Sequence, residues 1–255
     1  MSLDLTAYRS HPREVERVRR LFDLVPQQGR TALDIGARDG HLSLILADRF
    51  ESVVALDLCR PAIDHPRVQC VQGDASALQF DDASFDTVIC AEVLEHIPPP
   101  LLEKVGREIC RVTRQSAIIG VPYKQDLRVG RTRCGACGNS NPPWGHVNSF
   151  DEELLVTLLA GLKASKVEFV GQTRSATNPI SARLLDYAGH PFGTYDQDEA
   201  CIHCGATLAK PRARNLPQRV ATRVACWLDA AQQQITPVRG NWIHVRFDKA
   251  RPGRN

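Results

Sequence analysis

No stretch of this 255-residue sequence is long and apolar enough to cross a bilayer. The longest apolar run, Leu154 to Leu162, has nine residues, about half of the roughly 20 that a spanning helix needs. The opening MSLDLTAYRS lacks the basic start and apolar stretch of a secretory signal. Both absences argue against an integral membrane protein and a secreted precursor, and the expected location is cytoplasmic. Aromatic residues are sparse, at 6%, few for a surface built to stack on extruded bases. Neither sign of charge dominates, since 32 Lys/Arg against 29 Asp/Glu leave +3, too little to imply a polyanion partner. There is no internal repeat and no low-complexity tract. With 43% apolar and 24% charged residues, the chain has an ordinary globular composition, which excludes general disorder.

Charge is nevertheless unevenly spread. Residues 206–255 carry a net +8, leaving −5 on residues 1–205. A solvated helix face accounts for such a basic region, but it can also attract phosphate groups or an anionic surface.

Cysteine is plentiful. The nine cysteines are an odd number, which fits a fully disulfide-paired scaffold poorly. Cys59, Cys70, Cys90, Cys110 and Cys226 lie singly among apolar segments and read as buried small hydrophobes. The other four form two pairs, Cys134-Gly-Ala-Cys137-Gly138 and Cys201-Ile-His-Cys204-Gly205. In each, the glycine lets the turn aim backbone N–H groups at two thiolates. Four sulfurs match the tetrahedral preference of Zn²⁺, and with no position left for water such a zinc is structural. Two unrelated turns or redox pairs are the alternative. The 63 residues between the pairs would make the metal tie together two separate insertions.

Apolar periodicity places the elements. A helix is expected over Arg13–Leu24, with Val15, Val18, Leu21 and Phe22 on one side. Strands are expected at Thr31–Ile35, Ser52–Leu56, Val68–Val71, Phe85–Ala91, Ser116–Val121 and Val167–Val170. Helices are expected at His41–Ala47, Leu101–Val112, Asp151–Gly161 and Leu216–Ile235, and an alternating last strand at Trp242–Phe247. The strands are short apolar runs alternating with helices, the pattern of a parallel, doubly wound α/β sheet. Residues 123–149 and 172–211 break the rhythm and hold the two cysteine pairs.

The segment Ala32-Leu-Asp-Ile-Gly-Ala-Arg-Asp-Gly-His-Leu-Ser43 runs a buried strand into a tight turn and a helix. In open α/β sheets the ligand sits at such carboxyl ends, where strand order reverses. Gly36 permits close backbone approach. Asp57, at the end of the second strand, can accept both hydroxyls of a ribose. The acidic Asp34 would repel a pyrophosphate but suits a cationic sulfonium bearing an ammonium, so the loop disfavours a nicotinamide-dinucleotide domain.

These residues resemble the first motif of the class I S-adenosylmethionine-dependent methyltransferases, type 11-like, roughly Asp/Glu-x-Gly-x-Gly-x-Gly. Asp34, Gly36 and Gly40 match it, and Arg38 replaces the usual middle glycine. Gln72-Gly-Asp-Ala75 resembles the adenine-reading motif, Phe80 to Cys90 the F-D-x-x-x-F-D entry to the fourth strand, and Ala91-Glu-Val-Leu-Glu-His-Ile97 the VLEH segment behind the methionine. The resemblance covers residues 30–122. It implies a seven-stranded, mostly parallel, Rossmann-like methyltransferase sheet with zinc-binding insertions. It implies one domain over residues 1–255, with insertions 123–149 and 172–211 forming a zinc-tied lid. It also implies that Asp34, Gly36, Arg38, Gly40, Asp57, Leu58, Asp74, Ala75, Cys90 and Glu92 bind S-adenosylmethionine. Cys134, Cys137, Cys201 and Cys204 are the expected zinc ligands.

Methyl transfer to an amine or hydroxyl needs a group that takes the acceptor's proton. His146, beside Trp144, is the first candidate, with a purely structural histidine as the equal alternative. His96 follows, and Glu92, Tyr123 and Asn148 come after. His203, inside a knuckle, reads as an exposed turn residue. The expected function is O- or N-methylation of a small-molecule or glycan acceptor. A phosphate on that acceptor would first be sought at the basic C-terminal region. Two alternatives stand beside it. Lys210-Pro-Arg-Ala-Arg214, Arg219, Arg223 and the tail Arg251-Pro-Gly-Arg254 would suit a nucleic-acid methyltransferase, although no Asn/Asp-Pro-Pro-Tyr/Phe segment follows the fourth strand. Arg38 would suit a zinc-stabilised binding protein without catalysis.

Overall fold

The computed structural model describes residues 5–197, 199–210 and 213–250. The tail Arg251–Arg254, and Pro211 and Arg212 of the basic stretch, lie outside the described residues.

In chain order the elements are α1 (Thr6–Arg9), α2 (Pro12–Phe22), β1 (Gly29–Ile35), α3 (His41–Ala47), β2 (Phe50–Asp57), β3 (Val68–Gln72), β4 (Phe85–Ala91), α4 (Pro99–Val112) and β5 (Thr113–Pro122). There follow β6 (Thr132–Arg133), β7 (Ser140–Asn141), α5 (Glu152–Leu158), β8 (Lys163–Val170), α6 (Pro179–Ala188), α7 (Leu216–Ile235) and β9 (Trp242–Asp248). They divide into two compact units. Among the described residues, the sheet unit holds 5–123, 150–171 and 242–250, and the inserted unit holds 124–149 and 172–241.

The sheet unit carries seven strands in the order β3-β2-β1-β4-β5-β9-β8. β1 pairs in parallel with β2 and β4, β2 with β3, and β4 with β5, while β9 runs antiparallel between β5 and β8. The order reverses between β1 and β4, so the switch point lies at their carboxyl ends. All seven residues of β4 are buried, because helices cover both faces. One core cluster gathers Leu33, Val88, Leu102, Val105, Ile109 and Leu155. The other gathers Val18, Leu21, Leu46, Val53 and Ile118. α5 is capped by the Asp151 carboxylate, which accepts from Leu154 N at 2.9 Å.

The chain leaves and re-enters this sheet at one edge. β5 ends at Pro122 and β8 at Val170, and Trp242 opens β9 opposite both. Tyr123 and Phe150, which flank the first excursion, form a bridge to each other.

Several local expectations are corrected. Val15 is exposed, and beside the expected Val18, Leu21 and Phe22 the inward side of α2 carries Glu14 and Arg17. Their charges compensate through a bidentate pair at 2.8 and 2.6 Å. β9 does not alternate in burial, because an inner strand is covered on both faces. β8 begins four residues earlier than its apolar run. Of the five single cysteines only Cys90 and Cys110 are buried, while Cys59 and Cys226 are exposed.

In the inserted unit, β6 and β7 form a short antiparallel pair. The stretch 172–211 contains α6, which its flanking irregular sequence concealed. An Asn178 capping box starts α6, and a second capping box at Asn215 starts α7. The Asp229 carboxylate of α7 accepts from Thr177 Oγ1 at 2.5 Å and from Ser181 Oγ, locking α7 to the start of α6.

Candidate functional site

The turn after β1 is built on backbone that side chains disfavour. Gly36 and Gly40 have φ of +78° and +83°. A Cβ at either would collide with Val93 or Ile63. Arg38 also takes a positive φ, +49°, so it adopts the left-handed backbone that glycine supplies at this motif position. Its side chain is exposed, and its N–H donates to Asp57 Oδ2 at 2.9 Å. The turn is further tied to β2 by Gly36 N and Ala37 N, which donate to Leu56 O at 2.8 and 3.0 Å. Asp39 pairs with Arg9 of α1.

Three expected carboxylates stand at or near the ends of successive strands. Asp34, in β1, is fully buried and accepts from Ser43 Oγ at 2.5 Å. Burial pushes its carboxyl up to about 6, with Ser43 opposing and Asp57 adding to the rise. Asp57 closes β2. Asp74 follows β3, is exposed, and accepts from Ser76 N at 2.7 Å, a hydrogen bond that holds it below the usual range. Leu58 is largely exposed and Ala75 is buried.

At the end of β4 the expected residues part company. Cys90 is fully buried in the core, and burial raises its thiol well above the ordinary value. Glu92 has a φ of +57°, a second strained non-glycine at the switch point, where such strain clusters at functional sites. Its Oε2 accepts from Trp242 Nε1 at 3.2 Å, and its Oε1 lies 3.7 Å from Arg17 Nη1. Burial raises the Glu92 carboxyl, with Arg17 opposing. Arg17 Nη1 and Glu92 Oε1 are both buried without a hydrogen bond. Sequence reasoning missed Arg17 because it sits on a helix side read as apolar. A run of four arginines and two glutamates in α2 was the available signal. Glu95 was also missed. It is fully buried, neither carboxylate oxygen has a hydrogen bond, and desolvation first and Glu92 second push it well above the ordinary value. His96 is half-buried in the short 3₁₀ turn Leu94–His96. Tyr123 is buried and donates its hydroxyl to Glu152 Oε1 at 2.8 Å.

The inserted unit brings Cys134, Cys137, Cys201 and Cys204 together, with all four sulfurs within 4.8 Å of one another. Cys134 Sγ lies 3.7 Å from Cys204 Sγ, and Cys137 Sγ 3.6 Å from Cys201 Sγ. The two knuckles repeat one hydrogen-bond pattern. Cys134 N donates to Asn139 O and Gly138 N to Cys134 O; Cys201 N donates to Ala206 O and Gly205 N to Cys201 O. Backbone N–H groups of Cys137 and Ala136 hold the Cys134 thiol below its ordinary value. At Cys201 desolvation opposes, but the N–H groups of His203 and Cys204 bring the thiol to about 6. His203 is exposed, with Nε2 3.2 Å from Ser140 O. His146 is buried, and its Nδ1 lies 2.7 Å from Gln125 Oε1. The Trp144 ring lies 5.9 Å away. Asn148 is half-buried.

Residues 33–120 match the model of a methyltransferase domain. Over 88 residues, 30% of this chain, the sequence is 32% identical to a ubiquinone biosynthesis O-methyltransferase of Paracidovorax citrulli, covering 37% of that protein. Over 118 residues, 43% of this chain, it is 31% identical to an uncharacterized methyltransferase of Mycobacterium bovis, covering 46% of it. The chain thus spans less than half the length of these curated relatives. Among solved structures, the N-methyltransferase NodS of Bradyrhizobium japonicum in complex with S-adenosyl-L-homocysteine aligns with a TM-score of 0.52 at 14% identity, covering 98% of this chain and 94% of that one. The [4+2]-cyclase SpnF aligns with a TM-score of 0.52 at 15% identity, covering 92% and 80%. At such identities the likeness concerns the fold alone, and one fold hosts different chemistries. Strand order, motif order and the family match agree over residues 33–120, which are similar to a methyltransferase domain.

Proposed function

We propose that the chain transfers the methyl group of S-adenosylmethionine to oxygen or nitrogen of a small-molecule or glycan acceptor, and that a structural zinc holds its inserted unit. One observation carries the first part: Asp34, Asp57 and Asp74 belong to the carboxyl ends of three consecutive strands, around a left-handed Gly36-Arg38-Gly40 turn. Such an acidic edge suits a cationic ligand and repels a pyrophosphate.

The residues fit the cofactor. Gly36 and Gly40 supply the left-handed backbone of the turn, held against Val93 and Ile63. Asp57 accepts from the ribose hydroxyls and Asp74 from the adenine amine. Arg17 Nη1 and Glu92 Oε1, buried without hydrogen bonds, are a cation and an anion suited to the two charged groups of an amino-acid end. Gly36, Arg38 and Ala75 would meet the cofactor through their backbone. Bound there, the cofactor would supply a methyl carbon already activated by sulfonium, so the protein's tasks are to position the acceptor, exclude water and accept a proton. His146 and His96 are the candidates for that last task. The His146→Asn and His96→Asn variants separate them: replacing the true base should lower kcat steeply with KM little changed, and replacing the other should change little.

The zinc reading rests on distance. With Zn–S near 2.3 Å, a regular tetrahedron puts sulfurs about 3.8 Å apart, against 3.6 and 3.7 Å here. A disulfide needs about 2.05 Å. Elemental analysis should find one zinc per chain, and its absence from natively purified protein overturns this part.

The decisive test of the first part is calorimetry. Native protein should bind S-adenosylmethionine, and Asp57→Ala should weaken it about 100-fold or more, since hydrogen bonds to a charged group contribute roughly 1.5–3 kcal/mol each. Equal affinities would sink the cofactor assignment.

A further inference from the structure

The α6–α7 pair is amphipathic in the inverted sense. A surface helix ordinarily buries its large apolar residues and exposes small or polar ones. Here the buried positions are Ser181, Ala182 and Ala188 on α6 and Ala221, Thr222 and Ala225 on α7. The exposed apolar positions of α7 include Leu216, Val220, Val224, Trp227, Ala231 and Ile235. Their spacing of four, four, three, four and four residues puts them on one continuous stripe along the whole helix. Trp227 is 71% exposed and Ile235 76%. On α6, Ile180 and Tyr187 are exposed in the same way. The polar side of the pair is internal, where Asp229 holds Thr177 and Ser181. The outward stripe is therefore not a misplaced core.

The charge beside the stripe identifies its occupant. Arg219 and Arg223 lie along one side of it on α7, and Arg183 is exposed between Ile180 and Tyr187. Residues 206–241 hold six Lys/Arg and a single acidic residue, Asp229, which is turned inward. A second copy of this surface would bring like charges together. A tryptophan-bearing apolar stripe flanked by arginines is instead the composition of a helix lying in the plane of an anionic membrane surface. We infer that the α6–α7 face is an interfacial membrane-binding surface. Leu216, Val220, Val224 and Trp227 enter the headgroup boundary, and Arg183, Arg219 and Arg223 meet lipid phosphates. This gives the basic C-terminal region a use separate from methyl transfer, and it requires no spanning helix; among the described residues no helix is long and apolar enough to cross a membrane.

The test is co-sedimentation of the full chain with vesicles of phosphatidylcholine alone and of phosphatidylcholine with one third phosphatidylglycerol. Native protein should sediment with the anionic vesicles, less so as salt rises, and stay in solution with the neutral ones. Arg219→Gln with Arg223→Gln should lower partitioning roughly 30-fold, and Trp227→Ala with Val220→Ser should remove it. Each variant is required to keep native circular dichroism and native zinc content. Three results would overturn the inference: no binding of native protein to anionic vesicles at low salt; binding that the Trp227 variant leaves unchanged; or a concentration-dependent dimer, abolished by Trp227→Ala, without vesicle binding, which would assign the face to a second copy.

Discussion

At the scale of single residues, two titrating groups of the sheet unit act in opposite senses. Asp34 has its carboxyl raised from 3.8 to about 6, so the folded state holds a proton that the unfolded state has released. Stability is then greatest below the unfolded value and falls as pH rises through the folded one. A rise of that size corresponds to about 3 kcal/mol. Asp34→Asn should therefore be less pH-sensitive between pH 4 and 7 than native protein, as urea unfolding without cofactor would show. His244 is buried on β9 with neither ring nitrogen hydrogen-bonded. Burial first, then Arg17 and Arg20, push it from 6.5 down to about 3. It contributes stability above the unfolded value, and that stability is lost as pH falls from 6.5 toward 3. His244→Leu should thus shift acid unfolding to lower pH. A midpoint that does not move would mean that water reaches the ring. Residue identity alone could not signal either effect: His244 occupies a strand that reads as alternating, and its full burial comes from β9 lying between β5 and β8.

At the scale of elements, the β1–α3 turn and the two knuckles were legible because their chemistry is local. A glycine at φ +78° or a Cys-x-x-Cys-Gly turn needs only a few consecutive residues. Gly36→Ala should be destabilising by about 1–3 kcal/mol, from left-handed strain and the collision with Val93. A melting temperature equal to native would contradict that. Cys201→Ser should lose zinc and soften the inserted unit, with faster proteolysis after β5 or β8 as the readout. If the variant retains stoichiometric metal, the ligand set is wrong. α2 was less legible. Its burial of Glu14 and Arg17 rests on a buried ion pair and a cation 6.0 Å from the Trp242 ring, a partner 225 positions further along the sequence. α6 was missed because its capping box lies inside a stretch rich in turn residues, and caps without long periodicity are a weak sign.

At the scale of the molecule, the proposed cofactor residues, 17 to 92, all belong to the sheet unit, and the four knuckle cysteines all belong to the inserted unit. The crossings between them meet in space: Tyr123 bridges Phe150, and Val170 pairs with Trp242. Replacing 124–149 and 172–241 by short Gly-Ser linkers should leave a folded sheet that binds S-adenosylmethionine within about tenfold of native, since closing short loops between adjacent ends costs little. Failure of the excised protein to fold would show that the sheet depends on the inserted unit. Folding without binding would show that cofactor residues lie in that unit.

The sequence by itself determined the alternation of strands and helices, the order of the cofactor motifs and the pairing of cysteines within each knuckle. These depend on periodicity and on turns a few residues long. Only the tertiary structure decided that Cys134 and Cys137 meet Cys201 and Cys204, that Arg17 faces Glu92, and that α7 turns its large apolar residues outward. Each joins residues far apart in the chain, and which ones meet is set by how the whole chain packs, a quantity that no local pattern contains.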